Sequence, residues 1–485
     1  MKRISKSLIV LATLFSLGAC EKKITDLQPI DQIPAQNAIS TMNDVVSALN
    51  GIYGTWAGRR PVYLSSYMTD EIRLGTGTEY RNVGNILFNW QHVSDSQDWR
   101  DAENGGCWTN LYFTIDRTNR LLELMVPVVT NNATEAALKT QIRGELLALR
   151  AMAHFELLRW YAATPEYTPA SLGVIAQTEY VKNPGAYRPS RSTQQEIIAA
   201  VTADLAEART LIPTTFTDIS RVTRNAVIAS QARVALHTKN WQDVVDRSTE
   251  VITAQPISSL ANYPSIWQTR SLGANQTTEV IWKLNVSPAN LGAALGSLWQ
   301  DVGTGAVQAS PAVKLLNSYA TNDVRYTTFF RVPPTTTRNL IAKHGVVITS
   351  PANGENFQYD IKMIRTSELL LSRAEAYAEL NQLTPANNDL EALRLNRIPG
   401  YVHTAITDKA ALIAAIMEER YKELCYEGHR YFDLRRRSLP ISRDLSDVAN
   451  NTAIQTLSAS SPKYLLPVPQ QEVFANPNCQ QNPGY

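Results

Sequence analysis

Apolar side chains recur at three- and four-residue steps along the stretch from Leu138 to Trp160. The stripe consists of Leu138, Ile142, Leu146, Leu149, Ala153, Leu157 and Trp160. This spacing lines one face of an α-helix, so it predicts a helix of about six turns that stops before Pro165. Gly144, Ala148 and Ala151 are small, which lets a neighbouring helix approach closely.

The same periodicity predicts more helices downstream. One begins after Thr193, where Glu196 is placed to complete a capping box. Arg224–Thr238 and Trp241–Thr253 form a pair joined by a tight turn. The later predicted helices are Arg365–Leu380, then Pro385–Arg397 with Thr384 as its N-cap and Pro385 at its first position, and finally Asp408 to about Glu427, which Gly428 closes.

Helix pairs of this size, with alanines on their packing faces, are similar to tetratricopeptide-like units. The pairs are unevenly spaced, which argues against a regular solenoid. Two stretches rich in Gly, Thr and Asn, residues 59–107 and 257–310, interrupt the helices, and long loops are often functional. The predicted fold class is therefore mainly α: an irregular tetratricopeptide-like helix-pair array with a loop-rich ligand-binding half and few short strands.

Composition excludes one class of partner. The chain has 485 residues, 44% hydrophobic and 19% charged, and a net charge of +2. Lys2, Arg3 and Lys6 supply three of the positive charges, so the chain without this leader carries −1. A nearly neutral body lacks the basic surface that nucleic-acid binding needs.

The N-terminus has the layout of a cleaved export signal. The basic start is followed by an apolar run from Leu8 to Ala19, which is shorter than the ~20 residues that cross a bilayer. Leu17-Gly18-Ala19-Cys20 resembles the lipobox of bacterial lipoproteins, and this resemblance implies acylation of Cys20. We predict a signal peptide over 1–19, a lipid-anchored tether over 20–35 and a single body over 36–485. The alternative is an ordinary signal peptide with a chance cysteine.

The other cysteines and the C-terminal residues allow two further predictions, one about thiol state and one about order. Cys107, Cys425 and Cys479 allow at most one disulfide and show no zinc or redox spacing, and buried free thiols are expected for Cys107 and Cys425. Apolar and turn residues alternate from Tyr464 to Tyr485. This alternation predicts an ordered strap laid over the body, where a frayed tail is usual.

Six segments resemble, in order, the signatures of SusD/RagB-type lipoproteins. The segments are Ala38-Ile39 with Asp44 and Ala48–Tyr53; Trp108-x-x-Leu111-Tyr112-x-x-Ile115-x-x-x-Asn119; Arg143 to Tyr161 and Pro165; Arg365-x-x-Glu368-x-x-Leu371 with Ala374-Glu375-Ala376; Glu419 to Arg436; and Leu466–Pro469 with Gln481–Tyr485. The fifth block is the most specific, and the match spans the mature chain.

The resemblance implies an outer-membrane lipoprotein of Bacteroidota with a tetratricopeptide-like half and a loop-rich half. Members cap a SusC-like, TonB-dependent β-barrel transporter and capture glycans, or in some cases peptides, for import. The resemblance implies display on the cell surface, and periplasmic display is the alternative, because Glu21-Lys22-Lys23 departs from the more acidic stretch that surface-exported members often carry after the cysteine. A lipid-anchored helical scaffold without nutrient binding is the alternative function.

Side chains suited to glycan binding lie in both loop-rich stretches. Sugar rings stack on aromatic faces while amides, carboxylates and guanidinium groups reach their hydroxyls. The candidate ligand residues are Tyr80, Arg81 and Asn82 with Trp90, and Trp267 with Trp299 and Asp301. Trp108, Trp160 and Trp241 lie on helix stripes and are predicted to be core, and Trp282 is predicted to be an inward-facing strand residue.

No catalytic motif or cofactor signature occurs in the sequence, and we expect no enzyme, cofactor or metal site. The carboxylates Glu418, Glu419, Glu423 and Glu427 are expected to form ion pairs with the nearby Arg420, Arg430, Arg435 and Arg436. For Asp70-Glu71 a solvated turn is favoured over a ligand or cation contact. Calcium binding stays open, because scattered carbonyl and carboxylate oxygens can make such a site.

Overall fold

Helices make up most of the structure. The computed structural model describes residues 38–56, 58, 60–74, 85–95, 105–273, 278–286, 294–301, 306–332, 339–345, 359–448 and 455–485, so the predicted signal peptide and tether lie outside the described residues. The helices are α1 Met42–Tyr53, α2 Arg60–Met68, α3 Asn85–Phe88, α4 Gly105–Leu124, α5 Ala133–Tyr161, α6 Gln194–Leu211, α7 Arg224–His237, α8 Trp241–Ala254, α9 Tyr263–Gln268, α10 Val313–Asn317, α11 Val324–Phe329, α12 Thr366–Glu379, α13 Leu383–Leu395, α14 Lys409–Glu423, α15 Arg430–Arg435 and α16 Gln470–Ala475.

Neighbouring helices pack in sequence to form an array. Helix α4 packs on α5, α5 on α6, α6 on α7 and α7 on α8. The array continues from α8 to α12, although more than a hundred residues separate these two helices, and α12 also contacts α13 and α14. The mainly α prediction and the irregular pairing of helices are confirmed.

The small residue Gly144 of α5 allows a neighbouring segment to approach closely, as predicted. A Cβ built on Gly144 would lie 2.9 Å from both Ile212 Cγ1 and Leu211 Cβ. The predicted capping box of α6 is present, because the Thr193 side chain accepts from the Glu196 N–H and the Glu196 side chain accepts from the Thr193 N–H. Local sequence therefore determines both the start of α6 and its close packing on α5.

Two predicted helix ends are wrong. Helix α13 begins at Leu383 after the N-cap Gln382, so Pro385 is its third residue, where a missing N–H removes no intrahelical bond. Helix α14 begins at Lys409, directly after the predicted start Asp408, which is its N-cap, but it ends at Glu423 and not near Glu427. Distant side chains determine this end, because Lys343 Nζ donates to the carbonyls of Glu423 (3.0 Å) and Cys425 (2.9 Å).

Short antiparallel strand pairs join segments that are distant in sequence. The pairs are β1 Ile72–Arg73 with β3 Ser310–Pro311, β2 Val280–Leu284 with β6 Ile361–Arg365, β4 Phe330–Arg331 with β5 Leu340–Ile341, and β7 Ile441–Ser442 with β8 Thr456–Leu457. Trp282 lies in β2 and is buried, as predicted. Trp108 and Trp160 are also buried, and Trp241 is partly buried against the core.

The C-terminal residues form the predicted ordered strap, which we define as residues 464–485. Leu465, Leu466 and Val468 are buried in it. Asn482 Nδ2 donates to the carbonyls of Tyr161 (3.0 Å) and Leu466 (2.7 Å), so the strap is tied both to the end of α5 and to itself. Cys107, Cys425 and Cys479 are buried free thiols, which confirms the prediction for the first two.

Candidate ligand-binding site

The predicted ligand residues divide into two sets. Tyr80, Arg81 and Asn82 lie outside the described residues, whereas Trp90, Trp267, Trp299 and Asp301 lie within them. The three described tryptophans are at most 3% exposed. Ligand contact by all of these residues stays a prediction. The structure adds that a ligand must displace protein side chains to reach an indole face.

Trp90 follows the short helix α3 in a strained backbone conformation. Its φ is +52°, in the left-handed region that non-glycine residues rarely occupy. The indole Nε1–H donates to the Met68 carbonyl at 2.8 Å, and the Arg443 guanidinium lies 4.1 Å from the ring centroid. A hydrogen bond and a cation–π contact therefore hold the strained residue in place.

Trp299 is a buried residue of the second predicted cluster. Its ring is fully buried, stacked on Tyr67 at 6.3 Å between centroids and tilted against Tyr426 at 5.3 Å. Asp301 is half-buried beside it, and its backbone N–H donates to the Ala306 carbonyl at 2.8 Å. Asp301 therefore lies where the chain enters segment 302–305.

Helix α2 brings the two loop-rich stretches together. Tyr67 Oη donates to the Leu298 carbonyl at 3.0 Å, while the next residue, Met68, accepts from Trp90. Strand β1, which follows α2, pairs with β3, so Ile72 lies opposite Pro311. The first stretch was predicted to be loop, but α2 occupies its beginning and is buried along most of its length. Helix α2 therefore contacts one tryptophan of each predicted cluster, Trp90 through Met68 and Trp299 through Tyr67.

Trp267 belongs to a different part of the molecule. Its ring packs against Phe329 and His344, and the nitrogen Nζ of Lys343 lies 4.5 Å from its centroid. Lys362 Nζ lies 5.5 Å away and the Arg365 guanidinium 5.2 Å away. Within the described residues no ring contact joins Trp267 to Trp299, so the structure does not bring these two predicted partners together.

Asp70 and Glu71 are buried, so the expectation of a solvated turn is wrong. Burial opposes ionisation of Asp70, but Arg430 at 2.7 Å and Lys314 at 2.7 Å outweigh it and hold its pKa well below its usual range. Glu71 has no such cation in contact. Burial raises the pKa of Glu71 to about 7, and hydrogen bonds from Ser66 Oγ and the Tyr426 N–H only partly offset this. Both carboxylates support the turn between α2 and β1.

The carboxylates of α14 form ion pairs, as predicted, but the predicted partners are wrong. Glu423 contacts three buried arginines, Arg325 at 3.1 Å, Arg365 at 2.8 Å and Arg397 at 3.1 Å. Glu418 is exposed. The arginines predicted as partners bind other carboxylates: Arg420 pairs with Asp433, Arg430 with Asp70 and Arg436 with Glu375. Helical spacing identifies neighbours on one helix, whereas tertiary packing supplied these partners from other segments.

Among the described residues, no three His, Cys, Asp or Glu side chains come together in a way that could hold a metal ion. Among the described helices, none combines the length and the apolar character needed to cross a membrane.

Family models match an N-terminal and a C-terminal part of the chain. The model described as "SusD family" matches residues 335–485, and the model described as "Starch-binding associating with outer membrane" matches residues 30–236. The chain belongs to the SusD/RagB family. This is a family of carbohydrate-binding proteins, and SusD-like members are binding proteins without assigned catalysis.

Relatives and solved structures agree with this assignment. SusD-like protein P38 of Formosa agariphila is 22% identical over all of this chain and 99% of its own length. A SusD superfamily protein from Bacteroides thetaiotaomicron has a TM-score of 0.76 at 24% identity, covering 91% of this chain and 100% of that one. A structure named "Laminarin binding SusD-like protein" has a TM-score of 0.71 at 19% identity, covering 92% and 100%. The SusD-like chain therefore has the fold of these proteins.

Proposed function

We propose that this SusD-like protein is a lipid-anchored outer-membrane lipoprotein that captures a glycan and caps a SusC-like TonB-dependent transporter. The observation that carries the proposal is the match of two SusD-type family models to residues 30–236 and 335–485 of one chain. One model's description names starch binding and the outer membrane, and one protein with the same fold is named for laminarin binding.

The geometry of the loop bases supports a shared ligand site. Tyr80, Arg81 and Asn82 lie between β1 and α3, and Asp301 follows Trp299. Met68 and Tyr67, which are adjacent in α2, contact Trp90 and Trp299 respectively, so one helix supports a described residue of each predicted cluster. Aromatic side chains beside polar groups, as the sequence of both clusters provides, are the combination that glycan binding uses. Binding of this kind needs no covalent chemistry.

A glycan screen tests the ligand class. Purified protein without its signal peptide would be titrated with an oligosaccharide panel that includes starch-type and β-glucan fragments, and with a peptide library. We expect micromolar binding to a glycan, and about tenfold weaker binding after Tyr80→Ala, Arg81→Ala, Asn82→Ala or Asp301→Ala. Asp246→Ala, at an exposed position of α8, is the control. Binding of peptides alone would replace the glycan proposal with a peptide-binding role, and binding of neither class favours the scaffold alternative.

The buried tryptophans need conservative variants. Trp90→Phe, Trp267→Phe and Trp299→Phe keep a ring in the core, so a loss of affinity at unchanged thermal stability indicates ligand contact. A loss of both indicates a packing role.

Lipidation and the transporter are tested in membranes. We expect intact-mass analysis to find diacylglycerol and a further acyl chain on Cys20, and Cys20→Ala to release the protein from the membrane fraction. A pull-down in mild detergent is expected to recover a large β-barrel protein. Recovery of an unacylated protein contradicts the lipid anchor. Failure to recover a β-barrel protein contradicts the proposal that the protein caps a transporter. Neither outcome changes the result of the glycan screen.

A further inference from the structure

A pocket of about 270 Å³ lies on the helix array and is lined by α6, α7, α8 and the segment after α5. One water needs about 10–15 Å³ of such a pocket, so this one admits a guest of many atoms. Small-molecule sites usually measure ~300–1,000 Å³, which places this pocket at the size of a small ligand. None of the described candidates Trp90, Trp267, Trp299 and Asp301 lines it.

The floor of the pocket is apolar. Leu205 of α6 and Val234 and Ala235 of α7 are buried there, and Ile198, near the start of α6, is partly buried against the core. These side chains are aliphatic, so they offer C–H surface to a ligand and no polar group. Helix packing supplies this floor before any ligand arrives.

Tyr167 closes the pocket where α6 begins and α7 ends. The residue before it, Glu166, binds Lys239 Nζ at 2.5 Å in the turn between α7 and α8. The residue after it, Thr168, donates its backbone N–H to Gln194 Oε1 at 3.0 Å in α6. The Tyr167 side chain lines the pocket and is partly exposed. This segment therefore spans two helices and gives the pocket a closed end that carries an aromatic ring.

Neutral polar side chains surround the floor. They are Thr202, Gln231, Thr238 and Asn240, and all four are at least partly exposed. Asn240 is the N-cap residue of α8, but its side chain makes no capping hydrogen bond, so its amide is available to a ligand.

The charged groups of the pocket compensate each other. Arg247 Nε donates to Asp243 Oδ1 at 3.0 Å, and the two side chains are 30% and 35% exposed. This hydrogen bond uses only the Nε–H of the guanidinium and one oxygen of the carboxylate, so further donors and an acceptor remain for a ligand. The pair brings no net charge, which favours a neutral ligand over an ion.

A neutral sugar fits these features better than an ion or an extended peptide. An ion gains little from a compensated pair, and an extended peptide chain would have to continue past the closed end. A sugar ring presents an apolar C–H face to the floor, while its hydroxyls both donate and accept hydrogen bonds. A closed end also favours the terminus of a glycan over its middle.

We propose that this pocket is a second glycan-binding site, which takes the terminal one or two sugar units of a neutral glycan. The sugar lies on the aliphatic floor with Tyr167 at the closed end, and its hydroxyls reach Gln231, Asn240 and the Asp243–Arg247 pair. The inference deepens the proposed function and rests on it for the glycan class.

Methyl signals in nuclear magnetic resonance spectra test the site directly. Protein labelled at Ile, Leu and Val methyl groups would be titrated with maltose, laminaribiose and the peptide library. We expect the methyl signals of Ile198, Leu205 and Val234 to shift with a disaccharide, with a dissociation constant of roughly 1–10 mM. Leu298, whose carbonyl accepts from Tyr67 Oη beside Trp299, reports separately on the loop-rich region.

Variants assign the shifts to the pocket. Gln231→Ala and Asn240→Ala each remove an amide that reaches the sugar, and we expect each to weaken the disaccharide response of the pocket methyls about three- to tenfold. The response of Leu298 is expected to stay unchanged. Gln242→Ala is the matched control, because it removes an exposed amide of α8 that binds Asp246 at 2.8 Å and does not line the pocket.

The methyl groups that respond separate the outcomes. Shifts of Ile198 and Val234 that weaken in Gln231→Ala and Asn240→Ala support the second site, even where Leu298 does not respond and the loop site fails. Shifts of Leu298 alone overturn the second site and leave the proposed function standing. Shifts of the pocket methyls with peptides and not with a disaccharide overturn the glycan assignment of the pocket, and no shift with any probe contradicts both sites.

Discussion

At Gly484 the backbone adopts a φ of +89°, one residue before the C-terminal Tyr485. A Cβ at this position would lie 2.3 Å from Pro462 Cβ, which no side chain tolerates. Both the left-handed conformation and the close approach therefore require glycine. Tyr485, which follows, donates from Oη to the Leu465 carbonyl at 2.7 Å and closes the strap on itself.

We predict that Gly484→Ala destabilises the protein by about 1–3 kcal/mol, because it combines a strained φ with a steric clash. Urea unfolding gives the free-energy change. The control is Gly51→Ala within α1, where an added Cβ meets nothing within 4 Å. There the change is expected to be neutral or stabilising by up to about 1 kcal/mol, as alanine favours helix. Equal effects of the two variants would contradict this account of Gly484.

Glu71 makes stability depend on pH in a specific direction. Its folded pKa of about 7 lies above the ordinary value of 4.5, so the folded state binds the proton more tightly than the unfolded state. The contribution of Glu71 to stability is therefore fully present below pH 4.5 and is lost as the pH rises through 7. The charged form is the unfavourable one in this buried site.

We predict that Glu71→Gln, which imitates the protonated form, gains stability relative to wild type between pH 5 and pH 8 by roughly 2–3 kcal/mol. The measurement is the difference in unfolding free energy between the two proteins at each pH, so that all other titrating groups cancel. Glu123→Gln, at an exposed pair with Lys182, is expected to show a flat difference. A flat difference for Glu71→Gln would mean that this carboxyl titrates normally.

At the scale of elements, the sequence predicted what local periodicity determines. The stripe from Leu138 to Trp160 gave α5, and Thr193 with Glu196 gave the start of α6. The predicted end of α14 was wrong because Lys343, far away in sequence, donates to the carbonyls of Glu423 and Cys425. No local pattern carries that information.

The same distinction applies to the candidate site. Composition located the loop-rich stretches, and Trp90 and Trp299 were chosen within them because aromatic side chains can stack on sugar rings. Their burial was not predictable, because Tyr67 and Tyr426 cover Trp299 from distant segments. Asp70 and Glu71 were predicted to lie in a solvated turn, and their burial was not predictable because their partners Arg430 and Tyr426 come from near the other end of the chain.

The strap gives a prediction for a whole element. Asn482 accepts from Arg191 Nη1 at 2.9 Å and donates to two carbonyls, so Asn482→Ala removes three buried hydrogen bonds. We expect a loss of about 2–4 kcal/mol and local release of the strap. Cys479, which is 1% exposed, should then react with a thiol reagent under native conditions, whereas Cys107 and Cys425 stay protected.

Peptide mapping of the labelled cysteines identifies which thiol has reacted. Asn478→Ala is the matched control within the strap, as Asn478 is exposed and its side chain donates to the Arg188 carbonyl at the surface. If Cys479 remains unreactive in Asn482→Ala, the strap is held by its apolar residues and Asn482 adds little.

At the scale of the whole molecule, one buried ion cluster connects segments that the chain places far apart. Arg325 belongs to α11, Arg365 ends β6, Arg397 follows α13, and all three contact Glu423 at the end of α14. Glu279, just before β2, binds Arg365 at 2.6 Å and Arg397 at 2.9 Å. The cluster thus links the end of the helix array to the segments around the second loop-rich stretch.

Removing one charge from this cluster should destabilise the whole protein. Glu423→Gln leaves three buried arginines with less compensation, and breaking a buried pair typically costs about 3–5 kcal/mol. Glu418→Gln, five residues earlier on α14, changes an exposed carboxylate and is expected to stay within about 0.5 kcal/mol of wild type. Urea unfolding followed by circular dichroism and by tryptophan fluorescence should show both signals shifting together in Glu423→Gln. If the two transitions move by different amounts, the cluster does not couple the segments that it connects.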